Sequence, residues 1–546
     1  MHDPSLPSSP PSPSGAGPWY RELTGYHWFV LIVAALGWMF DCLDQNLFTL
    51  ARPAAMKELL RPQYGDAAVQ VEKQRLLDEG KAADSQTAES QARQHVRTQY
   101  DLAQKHWAGV VTSIFMIGWA SGGLFFGMLG DRIGRSKTML ITILLYSGCT
   151  GLSAISAGVW DFALYRFLTG LGVGGEFAVG VALVAEVMPN RARPYALTML
   201  QALSAFGNIS AALVNLGFGI AVEHGHLGGS DDTTLLNSPW RLMFVVGAIP
   251  ALLAVVIRLW LKEPEQWQKV SHEGVAAKQL GSYRELFRHP TWRKHALIGL
   301  ALACSGVIGL WAVGFFTPDL TKLVLRQGVT ARVYDEQMAA ARSAGDAARA
   351  DRLGQVRERL ATSQTMPADL APLRDEVEQT IEGRLTQWQS YTFMMINVGA
   401  FFGMFGFGAV AQRIGRRPTF AMGFVLAFLS TAAVFWFLDD FSDIFWMVPI
   451  MGFCQLSLFA GYAMYFPELF PTHLRSTGTS FCYNVGRFVA AVGPLVHGQL
   501  NALAKDMFPG TGESMRPAGV AMSVVFLIGL LVLPFAPETK DRPLPE

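Results

Sequence analysis

The chain reads as an all-α membrane protein in which twelve transmembrane helices form two pseudo-symmetric six-helix bundles. Three observations predict this class: long apolar stretches, an internal repeat, and basic residues gathered in alternate loops. Hydrophobic residues make up 51% of the 546 and charged residues only 16%, a balance that argues against a water-soluble protein. GMLGDRIGRSK (Gly127 to Lys137) returns as GAVAQRIGRRP (Gly408 to Pro418), and AEVMPNRARP (Ala185 to Pro194) returns at nearly the same offset as PELFPTHLRS (Pro467 to Ser476). A third echo closes each half, Pro264 and Glu265 being answered by Pro537 and Glu538. Tandem bundles of this kind build a substrate path at their interface.

A stretch of about 20 apolar residues crosses a hydrocarbon core. In the first half such stretches run Trp28 to Leu50, Trp107 to Leu129, Thr138 to Ala157, Phe162 to Val187, Ala196 to Val222 and Arg241 to Leu261. In the second they run Ala296 to Phe316, Gln389 to Val410, Phe420 to Leu438, Ile444 to Tyr465, Ser480 to Leu500 and Gly519 to Phe535.

Charge then sets the expected orientation. Arg132, Arg135 and Lys137, Arg191 and Arg193, Lys262 to Lys294, Arg413 to Arg417, and Arg475 and Lys540 fall in alternate loops, which should face the cytoplasm. The remaining short loops carry Asp161, Asp231, Asp232, Asp439, Asp440 and Asp443. Both termini are expected inside a multi-pass cell membrane protein. Residues 1–25, Pro- and Ser-rich at their start and without a secretory signal, read as a disordered cytoplasmic tail. The N-terminal bundle should cover 26–262, a cytoplasmic linker 263–292, the C-terminal bundle 293–537 and a short cytoplasmic tail 538–546. Insertions at 57–106 and 321–387 interrupt the pattern. Their mixed charge and Ala, Gln, Glu and Arg content favour external helices, either as separate hairpins or packed together as one cap.

The net charge of +1 implies no nucleic-acid partner. Cys42, Cys149, Cys304, Cys454 and Cys482 lie in apolar spans without metal-ligand spacing and read as packing residues. Enzymes are the least fitting class: there is no nucleophile and base pair, no metal cluster, and no phosphate loop, since the glycines of Arg166 to Glu176 lie within a membrane span and not after a strand. No cofactor is expected. The partners expected are a small-molecule substrate and the bilayer, with the monomer as the working unit.

At these motifs the chain resembles the major facilitator superfamily, near its sugar-porter and aromatic-acid:proton-symporter branches. GDRIGRSK resembles the signature between the second and third helices, and RFLTGLGVGGE (Arg166 to Glu176) that of the fourth. The resemblance implies roles. Asp44, matched to an aspartate beside the arginine matched by Arg166, would be a proton site; Asp41, one turn away on the same face, is similar to the second acid of aromatic-acid symporters. The cytoplasmic gate would comprise Asp131, Arg132, Arg135, Glu186 and Arg193 from the first half with Arg413, Arg417, Glu468 and Arg475 from the second. Gln412 departs from the pattern where Asp131 stands in the first copy, which leaves the symmetry of that gate open.

Gln201 is placed like a sugar-contacting glutamine, but the paired glutamines of sugar porters are absent from ACSGVIGLWAVGFF. Arg487 in YNVGRFVAAVGP resembles an arginine of organic-acid transporters, and a guanidinium suits bidentate carboxylate binding. A small organic anion is therefore the favoured substrate, with a sugar or polyol as the alternative. Asn208, Trp311, Asn397, Gln455, Tyr483 and Asn484 are candidate cavity contacts or helix-packing residues, and Glu176 is open to either reading. A uniporter or exchanger and a non-transporting sensor remain alternatives to a proton symporter.

Overall fold

Apolar composition commits each span to satisfying its backbone internally, and the described elements are all helical. The computed structural model describes residues 18–81, 84–223, 238–272, 280–312, 317–362, 367, 369–491 and 515–545. The membrane elements are labelled α1 (Gly25–Leu60), α2 (Ser85–Ile133), α3 (Arg135–Ser153), α4 (Val159–Val187), α5 (Arg193–Ala202 with Ser204–Glu223) and α6 (Pro239–Gly247 with Ala251–Trp260) in the first half. The second half holds α7 (Pro290–Ala312), α8 (Ala371–Ile414), α9 (Arg416–Phe437), α10 (Met447–Glu468), α11 (Arg475–Ala490) and α12 (Met515–Ser523 with Val525–Val532). Eight of them are long and apolar enough to cross a membrane, and α6 and α12 are shorter apolar helices. The expected continuations 313–316 and 492–500, and the loop with Asp231 and Asp232, lie outside the described residues.

Lipid tails give helices no hydrophobic reason to associate, so close packing of small residues has to hold them. On α4, Gly170 and Gly174 lie against the α2 backbone at Phe115 and Trp119, and a Cβ at either would collide with a carbonyl oxygen. The second half repeats the device, with Gly399 and Gly403 of α8 against the α10 backbone at Pro449 and Phe453.

The repeated RIGR turns have one physical explanation. Gly134 (φ 113°) and Gly415 (φ 100°) sit where a side chain is strained. A Cβ at either would also strike a carboxylate, that of Glu263 or Glu538. Glu263 accepts the backbone N–H groups of Ser136 (3.1 Å) and Lys137 (3.0 Å), and Glu538 those of Arg416 (2.9 Å) and Arg417 (3.1 Å). Each therefore satisfies orphan donors at a helix N-terminus, where negative charge is favoured. The third sequence echo is thus corrected in register: the counterpart of Glu538 is Glu263, not Glu265.

Both insertions lie at the end opposite the motif loops, and each is a separate helical unit. Helix Asp66–Asp78 packs on the start of α2 through Val69, Ala92 and Val96. Helices Thr317–Ser343 and Ala347–Ala361 pack on the start of α8 around Leu325, Val329, Leu353, Val377 and Ile381. Ion pairs Arg349–Glu376 (2.6 Å) and Arg357–Asp335 (2.5 Å) tie the second unit together. The two hydrophobic clusters are distinct, so the single-cap arrangement finds no support in the packing. The first tail also ends earlier than its composition suggests. Trp19–Glu22 form a turn, Trp19 stacks on Tyr195 (5.2 Å between ring centroids), and Glu22 pairs with Arg191 (3.0 Å).

Burial acts to raise the Glu538 carboxyl, but N–H donation from Arg416, Arg417 and Lys540 outweighs it and holds the group below the usual carboxylate range. A depressed folded value means stability that is present above the unfolded carboxylate pKa and lost as pH falls through the folded one. Glu538→Gln should lower thermal stability in detergent by the equivalent of about 0.5–2 kcal/mol at neutral pH. The gap from wild type should close below roughly pH 4. A gap that persists unchanged in acid would refute the capping assignment.

Candidate functional site at the interface of the halves

The motif loops converge at one end of the interface on a buried charge cluster. Glu186, at the end of α4, accepts from Arg135 of its own half (2.8 Å) and from Arg475 of the other (2.9 Å). Arg135 also reaches Asp131 (3.0 Å), the Gly130 carbonyl (2.8 Å) and, across the interface, the Thr472 carbonyl (2.8 Å). Asp131 in turn receives the backbone N–H groups of Ser476 (3.1 Å) and Thr477 (2.8 Å) and the Thr477 hydroxyl (2.6 Å). It caps the N-terminus of α11 from the opposite half, joining a full negative charge to the positive end of that helix dipole.

The second copy is built differently. Arg416, the true counterpart of Arg135, donates twice to Glu468 (3.2 and 2.8 Å) and to the Ala411 carbonyl (3.2 Å). Glu468 accepts from Arg416 and Thr539 of its own half, and among the described residues no ion pair across the interface mirrors that of Glu186 with Arg475, so the symmetry left open by Gln412 is not kept. Arg193 donates to the Ala185 carbonyl (2.7 Å) and to Asn190 (2.7 Å), within its own half. Arg475 makes the equivalent bond to the Pro467 carbonyl (3.3 Å) and then crosses to Glu186. Gln412 accounts for the asymmetry: among the described residues its side chain meets Arg416 alone, at 3.5 Å, and a neutral amide supplies no charge to a facing helix as Asp131 does.

Three arginines assigned to the gate lie outside this cluster. Arg132 is exposed and donates to the Leu280 carbonyl (3.3 Å). Arg413 offers its carbonyl to Lys540 (2.9 Å), and Arg417 donates to the Leu533 (3.1 Å) and Pro534 (3.3 Å) carbonyls. Arg416 was missed because two arginines follow Gly415. The aligned repeat pairs Arg135 with Arg416, so the signal was there.

Deeper in the membrane, α1, α4 and α11 bring a second set of ionisable groups together. Asp44 and Arg166, neighbours by the family resemblance, meet at 3.7 Å with both side chains fully buried. Thr150 donates to Asp44 (2.7 Å), while Arg166 is held by Ser153 (2.8 Å) and Thr169 (3.0 Å) and faces the Phe244 ring at 4.7 Å. Across the interface, Arg487 donates to the Tyr483 carbonyl (2.7 Å) and to Asn484 (2.8 Å). Its guanidinium lies over Trp119 of the first half (4.1 Å) and over Tyr483 (4.5 Å). Tyr483 stacks on Phe177 at 4.2 Å, and Asn484 donates to the Gly174 carbonyl (3.4 Å). Asp41 is fully buried within electrostatic reach of Glu176, Asp44 and Arg487.

On the other side of the interface, Asn46 donates to Asn208 (2.6 Å) and Asn208 to Asn397 (2.6 Å), an amide chain through α1, α5 and α8. Asn46 joins Asn208 and Asn397, two of the candidate cavity contacts, although the sequence analysis does not name it. Gln201 is buried with its carbonyl oxygen unpartnered among the described residues. Gln455 donates to Thr431 (2.6 Å), a packing bond within the second half. The Trp311 side chain lies outside the described residues.

Two helical halves with a charge cluster at one end of their interface and ionisable groups at its centre define a membrane transporter scaffold, not an enzyme. The Major Facilitator Superfamily profile matches residues 28–339 and 370–546, and the chain belongs to that family. It is 24% identical to the cis,cis-muconate transport protein of Acinetobacter baylyi over 82% of this chain and 89% of that one. It is 25% identical to the niacin transporter NiaP of the same species over 86% of each. The structure of the proton:xylose symporter XylE bound to 6-bromo-6-deoxy-D-glucose shares the fold, with a TM-score of 0.56, 17% identity and coverage of 95% and 98%.

Glu186→Gln removes the charge shared by two buried arginines from different halves, a loss of about 3–5 kcal/mol for breaking a buried pair. A cysteine placed at position 480 should then be labelled faster by an impermeant maleimide from the motif end. Glu468→Gln, whose hydrogen-bond partners among the described residues lie in its own half, should leave that rate close to the wild-type value. Equal acceleration by both variants would contradict the asymmetric cluster.

Proposed function

We propose that this secondary transporter moves a small organic anion, a carboxylate foremost, across the cell membrane by alternating access with proton symport, working as a monomer with both termini in the cytoplasm. The single observation that carries the reading is Arg487. A guanidinium buried at the interface, between Trp119 of one half and Tyr483 of the other, offers charge and a flat apolar slot together. A planar carboxylate satisfies both, since the guanidinium binds the anion and the rings take the body of the molecule. Similarity to a muconate transport protein supports the class. The coupling proton is assigned to the acid face of α1, Asp41 and Asp44, with Arg166 as counter-charge to Asp44. Basic motif loops support the cytoplasmic assignment of their end.

A sugar or polyol is the second reading, favoured by the unpartnered carbonyl of buried Gln201. The two diverge in one experiment: uptake by proteoliposomes under an inward pH gradient, across a panel of carboxylates, sugars and amino acids. Carboxylate accumulation abolished by a protonophore is the expected result; uptake indifferent to the protonophore would make the chain a uniporter or exchanger. For the carboxylate that accumulates, Arg487→Gln should weaken affinity by about 1.5–3 kcal/mol, the loss of one charged hydrogen bond. Unchanged affinity would remove the case for an anion.

Orientation has its own measurement. Cysteines at 137 and 417 should react only when the cytoplasmic face is exposed. Labelling from outside intact cells would invert the topology.

A further inference from the structure

Glu176 stands two residues beyond Gly174, and α4 turns its side chain toward α1. A Cβ built on Gly37 would fall on the Glu176 carboxylate, so the missing side chain of Gly37 is the space that this carboxylate occupies. Asp41 lies one helical turn further along the same face of α1. Both acids are buried, at 1% and 0% exposure, and among the described residues none of their four carboxylate oxygens has a hydrogen-bond partner. Nearby donors are also idle: the Tyr146 hydroxyl, the Trp38 indole nitrogen and Nε of Arg487.

The charged and titratable groups within electrostatic reach of this pair are Asp44 and Cys42 on α1, Tyr146 on α3, and Tyr483 and Arg487 on α11. Asp44 already has Arg166 as its counter-ion and Thr150 as a donor. That leaves two carboxylates facing one guanidinium. An unpaired buried charge is costly, and a proton on one acid removes it while supplying the O–H that bonds to the other.

We propose that Asp41 and Glu176 form a two-carboxylate proton site that exchanges a proton against the substrate's charge at Arg487. The proposal rests on the proton-symport reading of the preceding section and narrows its site: Asp41 keeps the coupling proton with Glu176 as its partner, while Asp44 is left as the counter-charge of Arg166. In the empty closed state one proton is shared by the pair, and the remaining negative charge is balanced by Arg487. When a substrate carboxylate engages Arg487, that balance is lost, and the pair takes a second proton from water, forming a new O–H bond on the free carboxylate. Release of the anion on the other side restores Arg487 to the pair, and one O–H bond breaks to give its proton to water. One proton therefore moves per negative charge carried.

Infrared spectroscopy of the purified full chain, titrated from acid to alkaline pH in H₂O and D₂O without substrate, reads the site directly. The expected result is a buried carboxylic-acid C=O band that disappears in Glu176→Gln and in Asp41→Asn, persists with a shifted frequency in Glu176→Asp, and persists in Asp44→Asn. Gel filtration identifies which variants are folded, and either Glu176→Gln or Asp41→Asn suffices alone. If both misfold, Glu176→Asp decides: a band at the unshifted wild-type frequency overturns the site. A band that survives Glu176→Gln or Asp41→Asn, or one removed by Asp44→Asn, overturns it as well. Failure of the symport reading looks different: wild-type vesicles accumulate no carboxylate under a pH gradient although the band still depends on Glu176.

Discussion

One carboxylate, that of Glu186, lies between guanidiniums from different halves, and the closed end of the molecule is organised around it. Arg135 and Arg475 are both fully buried, and they share Glu186 as counter-charge, Arg135 having Asp131 as a second, because attraction must offset the loss of water around each ion. The surrounding bonds follow from that need. Arg135 also donates to the Gly130 and Thr472 carbonyls, its Nε having no partner among the described residues, and Arg475 donates to the Pro467 carbonyl, the Thr472 hydroxyl and the Pro545 carbonyl of the C-terminal segment. A buried ion pair is weak evidence for stability but good evidence for a specified arrangement. The arrangement specified here is contact between the halves.

The internal repeat is a repeat of local devices and not of the interface. Gly134 and Gly415, Glu263 and Glu538, Arg135 and Arg416, and the carbonyl bonds of Arg193 and Arg475 are matched pairs, each made within one half. What crosses between halves is not matched. Asp131 caps α11, whereas its counterpart Gln412 makes no comparable contact to α5, so the α2 and α11 side carries charged bonds and the α5 and α8 side carries the neutral amides of Asn208 and Asn397. One substitution from acid to amide changes the chemistry of a whole seam.

How much of this was legible follows from what sequence can encode. Span positions were readable from apolar run length, and Asp44 and Arg166 stood out as expensive residue types in apolar stretches whose pairing the family resemblance implied. The partners of individual arginines were not. Arg132 and Arg135 look alike in a string of letters, and only the helix break at Gly134 turns one outward and the other into the interface. Asn46 gave no signal. Glu176 was ambiguous because its role depends on Gly37, which lies on another helix and is remarkable only for lacking a side chain.

The two charged regions are joined mechanically by α11. Arg475 begins this helix and Arg487 lies twelve residues later, about 18 Å along a continuous helix at 1.5 Å per residue. Between them, Ser480 and Asn484 fit against Gly123 and Gly127 of α2, where no Cβ would be tolerated. The Ser480 hydroxyl donates to the Gly123 carbonyl. A packed surface of this kind is bistable and does not deform gradually. Separation of α11 from α2 would therefore break the Glu186 pair, the Asp131 cap and the Trp119 contact of Arg487 together. The charged end and the centre of the interface are then linked through one rigid element, and a ligand shifts the balance only by the difference in its affinity for the two arrangements.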